Sequence, residues 1–233
     1  MKDSERVGAI AQRWQQIRQH IPDSVRLIAV SKTFPAATLR AAYEAGVRDF
    51  GENRIAEAIA KQEQLQDLTD ICWHCIGHIQ SNKAKKALQH FQWLHTCDSL
   101  KLAQRLDRLA AELKLTPQVC LQVKVLPDPD KYGWTVPELL ASLPQLNNCE
   151  FLKFQGLMTI LPLHLTPEET LAAFEAVGDL GDKINAQNYP NLQMQEYSMG
   201  MSGDYLLALQ AGATQIRLGQ AIFGSRDAFS ATR

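Results

Sequence analysis

The sequence predicts an α/β protein, a single (β/α)8 TIM-type barrel with one extra helix at its start. Short apolar runs rich in branched and aromatic side chains alternate with longer segments of helical spacing along the whole chain. Strict alternation implies parallel pairing through right-handed crossovers, and eight such units in 233 residues match a closed barrel. No short-period repeat, low-complexity tract or Pro/Gly-rich linker divides the chain, so residues 1–233 read as one domain. An open doubly wound sheet is the alternative.

The predicted strands run from Arg26 to Val30, Val47 to Phe50, Ile71 to His78, Trp93 to Thr96, Val119 to Val125, Phe154 to Ile160, Gln193 to Tyr197 and Thr214 to Leu218. Helical spacing covers Ser4 to His20 ahead of the first strand. Between strands it covers Ala36 to Ala45, Asn53 to Gln66, Ser99 to Leu113, Val136 to Leu143, Pro167 to Asn185 and Asp204 to Ala211. Thr166-Pro167-Glu168-Glu169 supplies a cap, a first-turn proline and first-turn carboxylates, which together mark a helix start. Asp204 is expected to cap the helix that follows it.

Composition excludes several function classes. Lys and Arg number 24 against 25 Asp and Glu, so no global field would hold nucleic acid or an anionic membrane, and any anion site must be local. No apolar run reaches the length of a membrane span, and the mixed charges of the first residues do not resemble a signal peptide. A cytoplasmic protein is the expectation. The five cysteines (Cys72, Cys75, Cys97, Cys120, Cys149) are odd in number and sit mostly in apolar strand-like segments, as reduced thiols do.

A barrel puts its chemistry at the carboxyl ends of its strands. Lys32 lies there, two residues after the first strand. Gly51-Glu52-Asn53 follows the second strand, His78 to Lys83 the third, and Asp128 to Gly133 the fifth. The seventh strand ends in Ser198-Met199-Gly200-Met201-Ser202-Gly203-Asp204, a hydroxyl-bearing turn opening a helix, and the eighth delivers Arg217, Gly219 and Gln220. Loops after strands seven and eight often build the phosphate site of a barrel, because unpaired amides and the helix dipole face an anion there. A phosphate site beside a lysine that can lose its proton points to an aldehyde held as a Schiff base. Pyridoxal 5'-phosphate meets both demands, and class I aldolase chemistry on a sugar phosphate uses the same two features.

The order of motifs adds specificity. AVSKTFP around Lys32, FGENR at Phe50 to Arg54, WHCIGHIQSNK at Trp73 to Lys83, KYGW at Lys131 to Trp134, FQGLMTI at Phe154 to Ile160, YSMGMSGD at Tyr197 to Asp204 and IRLGQAIFG at Ile216 to Gly224 together resemble the pyridoxal-phosphate homeostasis protein family. That family is similar to the N-terminal barrel of alanine racemase, of fold-type III, without the racemase's second, all-β domain. The resemblance implies pyridoxal 5'-phosphate as cofactor, with Lys32 as its Schiff-base lysine. It further implies Ser198 and the backbone around Gly219 and Gln220 as the phosphate cradle, Arg217 as the partner of the pyridine nitrogen, and Asn53 and Met158 lining the ring pocket. Position 220 departs from the small hydroxyl residue expected in many relatives, which leaves a backbone contact there.

An arginine beside the pyridine nitrogen disfavours protonating it and weakens the ring as an electron sink. The expectation is therefore cofactor binding without clear turnover, and the resemblance implies a role in vitamin B6 and amino-acid/keto-acid balance, a monomer in the absence of the racemase's dimerising domain, and the cofactor itself and apo pyridoxal-phosphate enzymes as partners. The rival is a racemase or lyase using Lys131 or His78 as a second base. Lys83 or Lys131 is also weighed as the holder of a second phosphate-bearing vitamer. A redox or metal role for Cys72-Trp73-His74-Cys75 is set aside, because a strand would turn Cys72 and His74 to one face and Cys75 to the other. For zinc, only His78 stands near in sequence, so no metal is expected.

Overall fold

A computed structural model describes residues 2–224, with side chains from Val7 onward; the last nine residues of the predicted domain lie outside the described residues. The strands are β1 (Arg26–Val30), β2 (Asp49–Glu52), β3 (Cys72–Cys75), β4 (Trp93–Cys97), β5 (Gln118–Lys124), β6 (Trp134–Thr135), β7 (Lys153–Met158), β8 (Leu192–Ser198) and β9 (Gln215–Leu218). The helices are α1 (Lys2–Arg18), α2 (Ala36–Glu44), α3 (Ile55–Gln64), α4 (Ala84–His90), α5 (Leu100–Leu113), α6 (Val136–Asn147), α7 (Pro167–Asn185), α8 (Tyr205–Gln210) and α9 (Gln220–Phe223). Every strand pairing is parallel, and the order β4-β3-β2-β1-β9-β8-β7-β5 closes through β4 on β5. The eight predicted strands therefore form a closed TIM-type barrel, and the open sheet is excluded. The added β6 is a two-residue bridge onto the end of β5.

Period-two alternation separates two layers. Leu27 and Ala29 of β1, Trp73 and Cys75 of β3, and Ile216 and Leu218 of β9 join the main core between sheet and helices. Cys72, Trp93, Cys120 and Met158 belong to a smaller cluster inside the barrel, shared with the fully buried His74, His95 and Ser198. A polar interior needs internal partners, and these are described below.

Element boundaries differ from the expectation where tertiary contacts intervene. The strand predicted over Ile71 to His78 stops at Cys75, because the Gly77 carbonyl turns to accept from Thr96 Oγ1 at 2.7 Å. Strand β2 slides two residues forward to include Gly51 and Glu52, whose partners on β3 are His74 and Cys75. Helix α6 continues past Pro144 to Asn147, since burial of Leu143 and Leu146 outweighs the amide that proline removes. The Thr166 signal is a full capping box with Glu169. Asp204 corrects its expectation: it makes no side-chain cap, and its Oδ1 accepts from the Met201 amide at 2.6 Å instead, closing the loop after β8.

At the β7–β8 seam, a side chain at Gly156 would run into the Glu196 carbonyl oxygen. Gly156→Ala is expected to destabilise by about 1–3 kcal/mol, as overpacking against backbone does, and to lower the melting temperature by several degrees in a calorimetric scan.

Candidate functional site

Register assembles the carboxyl rim. Strand β1 lies between β2 and β9, with Val30 opposite Gly51 and Ala29 opposite Leu218. The turn that carries Lys32 thus stands between Asn53 on one side and Gly219 and Gln220 on the other. Gly219 approaches the Val30 carbonyl closely enough that a side chain there would press on it at 3.3 Å. Lys32 is half-buried, Asn53 and Gly219 are partly exposed, and Gln220 is exposed at the start of α9. Met158 is fully buried within the barrel, opposite Ser198 in the β7–β8 register.

The residues flanking Lys32 are held by a charge cluster that sequence reading missed. Ser31 Oγ donates to Glu52 Oε1 at 2.6 Å. Lys61 Nζ donates to the same oxygen at 2.6 Å, to the Ser31 carbonyl at 2.9 Å and to Glu57 Oε1 at 2.7 Å. Glu57 in turn accepts from the Thr33 amide at 2.6 Å. Thr33 has φ 72°, a left-handed conformation that β-branched residues rarely adopt and that costs about 1–3 kcal/mol. Glu52 is fully buried, its Oε2 has no hydrogen-bond partner, and burial pushes its carboxyl up despite Lys61. The Glu57–Lys61 spacing on α3 was a visible signal; the reach of Lys61 to Glu52 is tertiary.

Ser198 and Arg217 meet directly. Arg217 is 3% exposed; its NH1 donates to Ser198 Oγ at 2.7 Å and its NH2 to the Thr159 carbonyl at 2.8 Å. Desolvation pushes the guanidinium down to about 10, which still leaves it charged at neutral pH. Two histidines continue the contact inward: His95 Nδ1 lies 2.9 Å from Ser198 Oγ, and His74 Nδ1 lies 2.9 Å from His95 Nε2. Burial holds both imidazoles below the ordinary histidine range, His95 well below. His95 does not stand out in the sequence, and His74 is weighed there only with Cys72 and Cys75 as a redox or metal motif, not as a partner of His95.

The suspected second bases sit at the same rim with partners of their own. Lys131 Nζ is 2.8 Å from Asp128 Oδ2 and donates to the Leu161 carbonyl at 2.6 Å. His78 bonds Asp98 at 2.8 Å and stacks on Tyr132 with ring centroids 3.7 Å apart. His78, Tyr132 and Lys83 line a basin of about 740 Å³ beside Asn53.

At the opposite, amino end of the strands, Cys72 and His74 do share a face, as the strand argument required. Asp49 of β2 joins them, so that ligand atoms of all three lie within 4.8 Å of one another, a third donor that spacing alone did not reveal. Arg26 NH1 already lies 2.9 Å from Asp49 Oδ1, and this fixed positive charge opposes a metal cation there. Burial, helped by Asp49, pushes the Cys72 thiol up to about 12, and burial does the same at Cys75, as in unreactive structural cysteines.

A closed parallel barrel with a lysine after its first strand and a buried arginine on its last puts the chain in the class of TIM-type α/β barrels. The model of the alanine racemase N-terminal domain matches residues 6–227. The pyridoxal phosphate homeostasis protein of Synechocystis is 50% identical, over 91% of this chain and 97% of its own. That of Escherichia coli K12 is 39% identical over 88% of each. PipY of Synechococcus elongatus, solved with pyridoxal phosphate bound, is 52% identical with a TM-score of 0.88, covering 92% of this chain and 100% of that one. Alanine racemase of Clostridium difficile, at 14% identity and a TM-score of 0.75, shares the fold over 95% of this chain and 59% of its own. The chain belongs to the alanine racemase N-terminal domain family, among the pyridoxal phosphate homeostasis proteins.

Removing Lys61 as Lys61→Met leaves Glu52 buried without its cation, and thermal unfolding should report a loss of about 3–5 kcal/mol. The neutral histidines set an acid limit. With folded pKa values below the unfolded one, the unfolded chain binds protons first, so stability present above about pH 6.5 falls as pH drops below it. Each histidine contributes up to about 1.4 kcal/mol per pH unit. Melting temperature followed from pH 7 to pH 5 should fall less steeply in His95→Gln than in the unaltered chain.

Proposed function

We propose that the protein binds pyridoxal 5'-phosphate at the carboxyl rim as a Schiff base on Lys32 and serves in vitamin B6 and amino-acid/keto-acid homeostasis by holding and handing over the cofactor. The observation that carries this reading is the rim itself: Lys32 stands between Asn53 and Gly219 by register, one strand from a buried arginine. The site fits the group. An aldehyde needs an amine at a strand end, the first turn of α9 leaves the amides around Gly219 and Gln220 outside helical pairing, and a ring nitrogen needs a donor, which Arg217 provides.

Bound pyridoxal phosphate supplies an aldehyde for the lysine amine and a ring able to draw electrons from the attached carbon. The chain's own residues limit that use. Arg217 is held by neutral acceptors, Ser198 Oγ and the Thr159 carbonyl, and so presents a positive charge to the ring nitrogen. Protonating that nitrogen would set two positive charges together in a dry site. Ser198 Oγ already meets both His95 and Arg217, so we assign Ser198 to holding Arg217, with the amides around Gly219 and Gln220 and the exposed Ser202 hydroxyl turned to the phosphate. Asn53, kept in place where the side-chain-free Gly77 passes its carbonyl, and Met158 flank the ring. Lys131 and His78 have carboxylate partners, which favours a binding role over a second catalytic base. Among the described residues no helix is long and apolar enough to cross a membrane. We propose one cofactor-binding domain, a monomer in the cytoplasm, exchanging cofactor with apo pyridoxal-phosphate enzymes and not engaging nucleic acid.

Titration with pyridoxal phosphate should produce a visible absorbance band, and borohydride reduction followed by peptide mapping should place the pyridoxyl group on Lys32. Lys32→Ala should abolish both. A band of undiminished intensity in that variant, or an adduct mapped elsewhere, would reject the assignment.

A further inference from the structure

One continuous line of hydrogen bonds crosses the barrel interior from its amino end to its carboxyl rim. Arg26 NH1 donates to Asp49 Oδ1 at 2.9 Å, and the same oxygen lies 2.9 Å from His74 Nε2. His74 Nδ1 meets His95 Nε2, His95 Nδ1 meets Ser198 Oγ, each at 2.9 Å, and Arg217 NH1 donates to Ser198 Oγ at 2.7 Å. The line passes through β1, β2, β3, β4, β8 and β9, and from His74 to Ser198 every member is fully buried.

Neutral histidines permit only two proton arrangements along such a line, because each ring then has one donor and one acceptor. An ionised carboxylate accepts and cannot donate. With Asp49 ionised, His74 carries its proton on Nε2 and accepts at Nδ1; His95 then donates from Nε2 and accepts at Nδ1. Ser198 must give its single proton to His95, leaving its lone pairs for Arg217. The reverse arrangement would set two acceptors 2.9 Å apart at Asp49 and His74 unless Asp49 were protonated. Burial alone would favour that proton, but the hydrogen bond and electrostatic attraction of His74, with Arg26 after them, outweigh it and hold the Asp49 carboxyl below its ordinary range. The Cys72 thiol, protonated beside Asp49, adds only a donor.

We propose that the charge of Asp49, at the end of the barrel away from the ligand rim, fixes the direction of the hydrogen bonds from His74 through His95 to Ser198, commits the Ser198 hydroxyl proton to His95, and withholds it from any phosphate at the rim. Asp49, His74 and His95 are on this account positioning residues for the Ser198 hydroxyl proton. The effect on ligand rests on the pyridoxal phosphate reading above; the proton arrangement does not.

The test is nitrogen-15 NMR of the histidine rings in the full chain without cofactor at about pH 7.5, with His74 and His95 assigned by through-bond correlation. Both rings are expected as the neutral Nε2–H tautomer. A neutral Nδ1–H ring at either position, or a doubly protonated one, overturns the proposal. Asp49→Asn should let the other tautomer appear and, in the cofactor-loaded protein, slow pyridoxal phosphate release about tenfold, the worth of one hydrogen bond from the freed Ser198 hydroxyl, while Asp49→Glu restores the original tautomer and release rate. Unchanged tautomers in a folded Asp49→Asn protein also overturn it. If the chain takes up no pyridoxal phosphate, the functional reading fails while the tautomer result still decides this one.

Discussion

A guanidinium taken out of water must be given acceptors, and the interior of this barrel is organised around that requirement. Arg217 sits at 3% exposure with a serine hydroxyl and a main-chain carbonyl as its bonded acceptors. Neither is charged, so the guanidinium keeps its positive charge unneutralised at close range. The hydroxyl has one proton, and its direction depends on His95, then His74, then Asp49. A choice made at one mouth of the barrel is thereby felt at the other, over a path of hydrogen bonds that is fully buried from His74 to Ser198.

The second polar cluster serves a different end. Lys32 lies on a turn, the kind of segment that usually moves more than the strands it joins. Ser31 and Thr33 on either side of it are bonded to Glu52 and Glu57, and Lys61 joins both carboxylates. A left-handed Thr33 survives because its amide has a charged acceptor, so backbone strain is stored next to Lys32. The turn behaves as part of the barrel wall.

On the proposed reading the two clusters favour retention over turnover, one positioning the Lys32 amine and the other the Arg217 guanidinium. The rim groups that resemble catalytic bases, His78 and Lys131, are paired with Asp98 and Asp128.

Alternation of short branched runs with helical spacing was enough to specify the barrel, because parallel strands need crossover helices and eight units close on themselves. Local chemistry was equally visible in the Thr166 capping box, and motif order pointed to Lys32, Asn53, Ser198, Arg217 and Gly219. Contacts between elements distant in sequence were not visible. Strand ends moved where Gly77 turned to Thr96, Pro144 was tolerated because Leu146 is buried, and Asp204 served its loop instead of its helix. Asp49, Lys61 and His95 are unremarkable in the one-dimensional pattern, and Glu52 and His74, though named at a strand end and in a strand motif, gave no sign of their partners, since a buried polar residue is recognised by its partner, and only the closure of the barrel brings those partners within bonding distance.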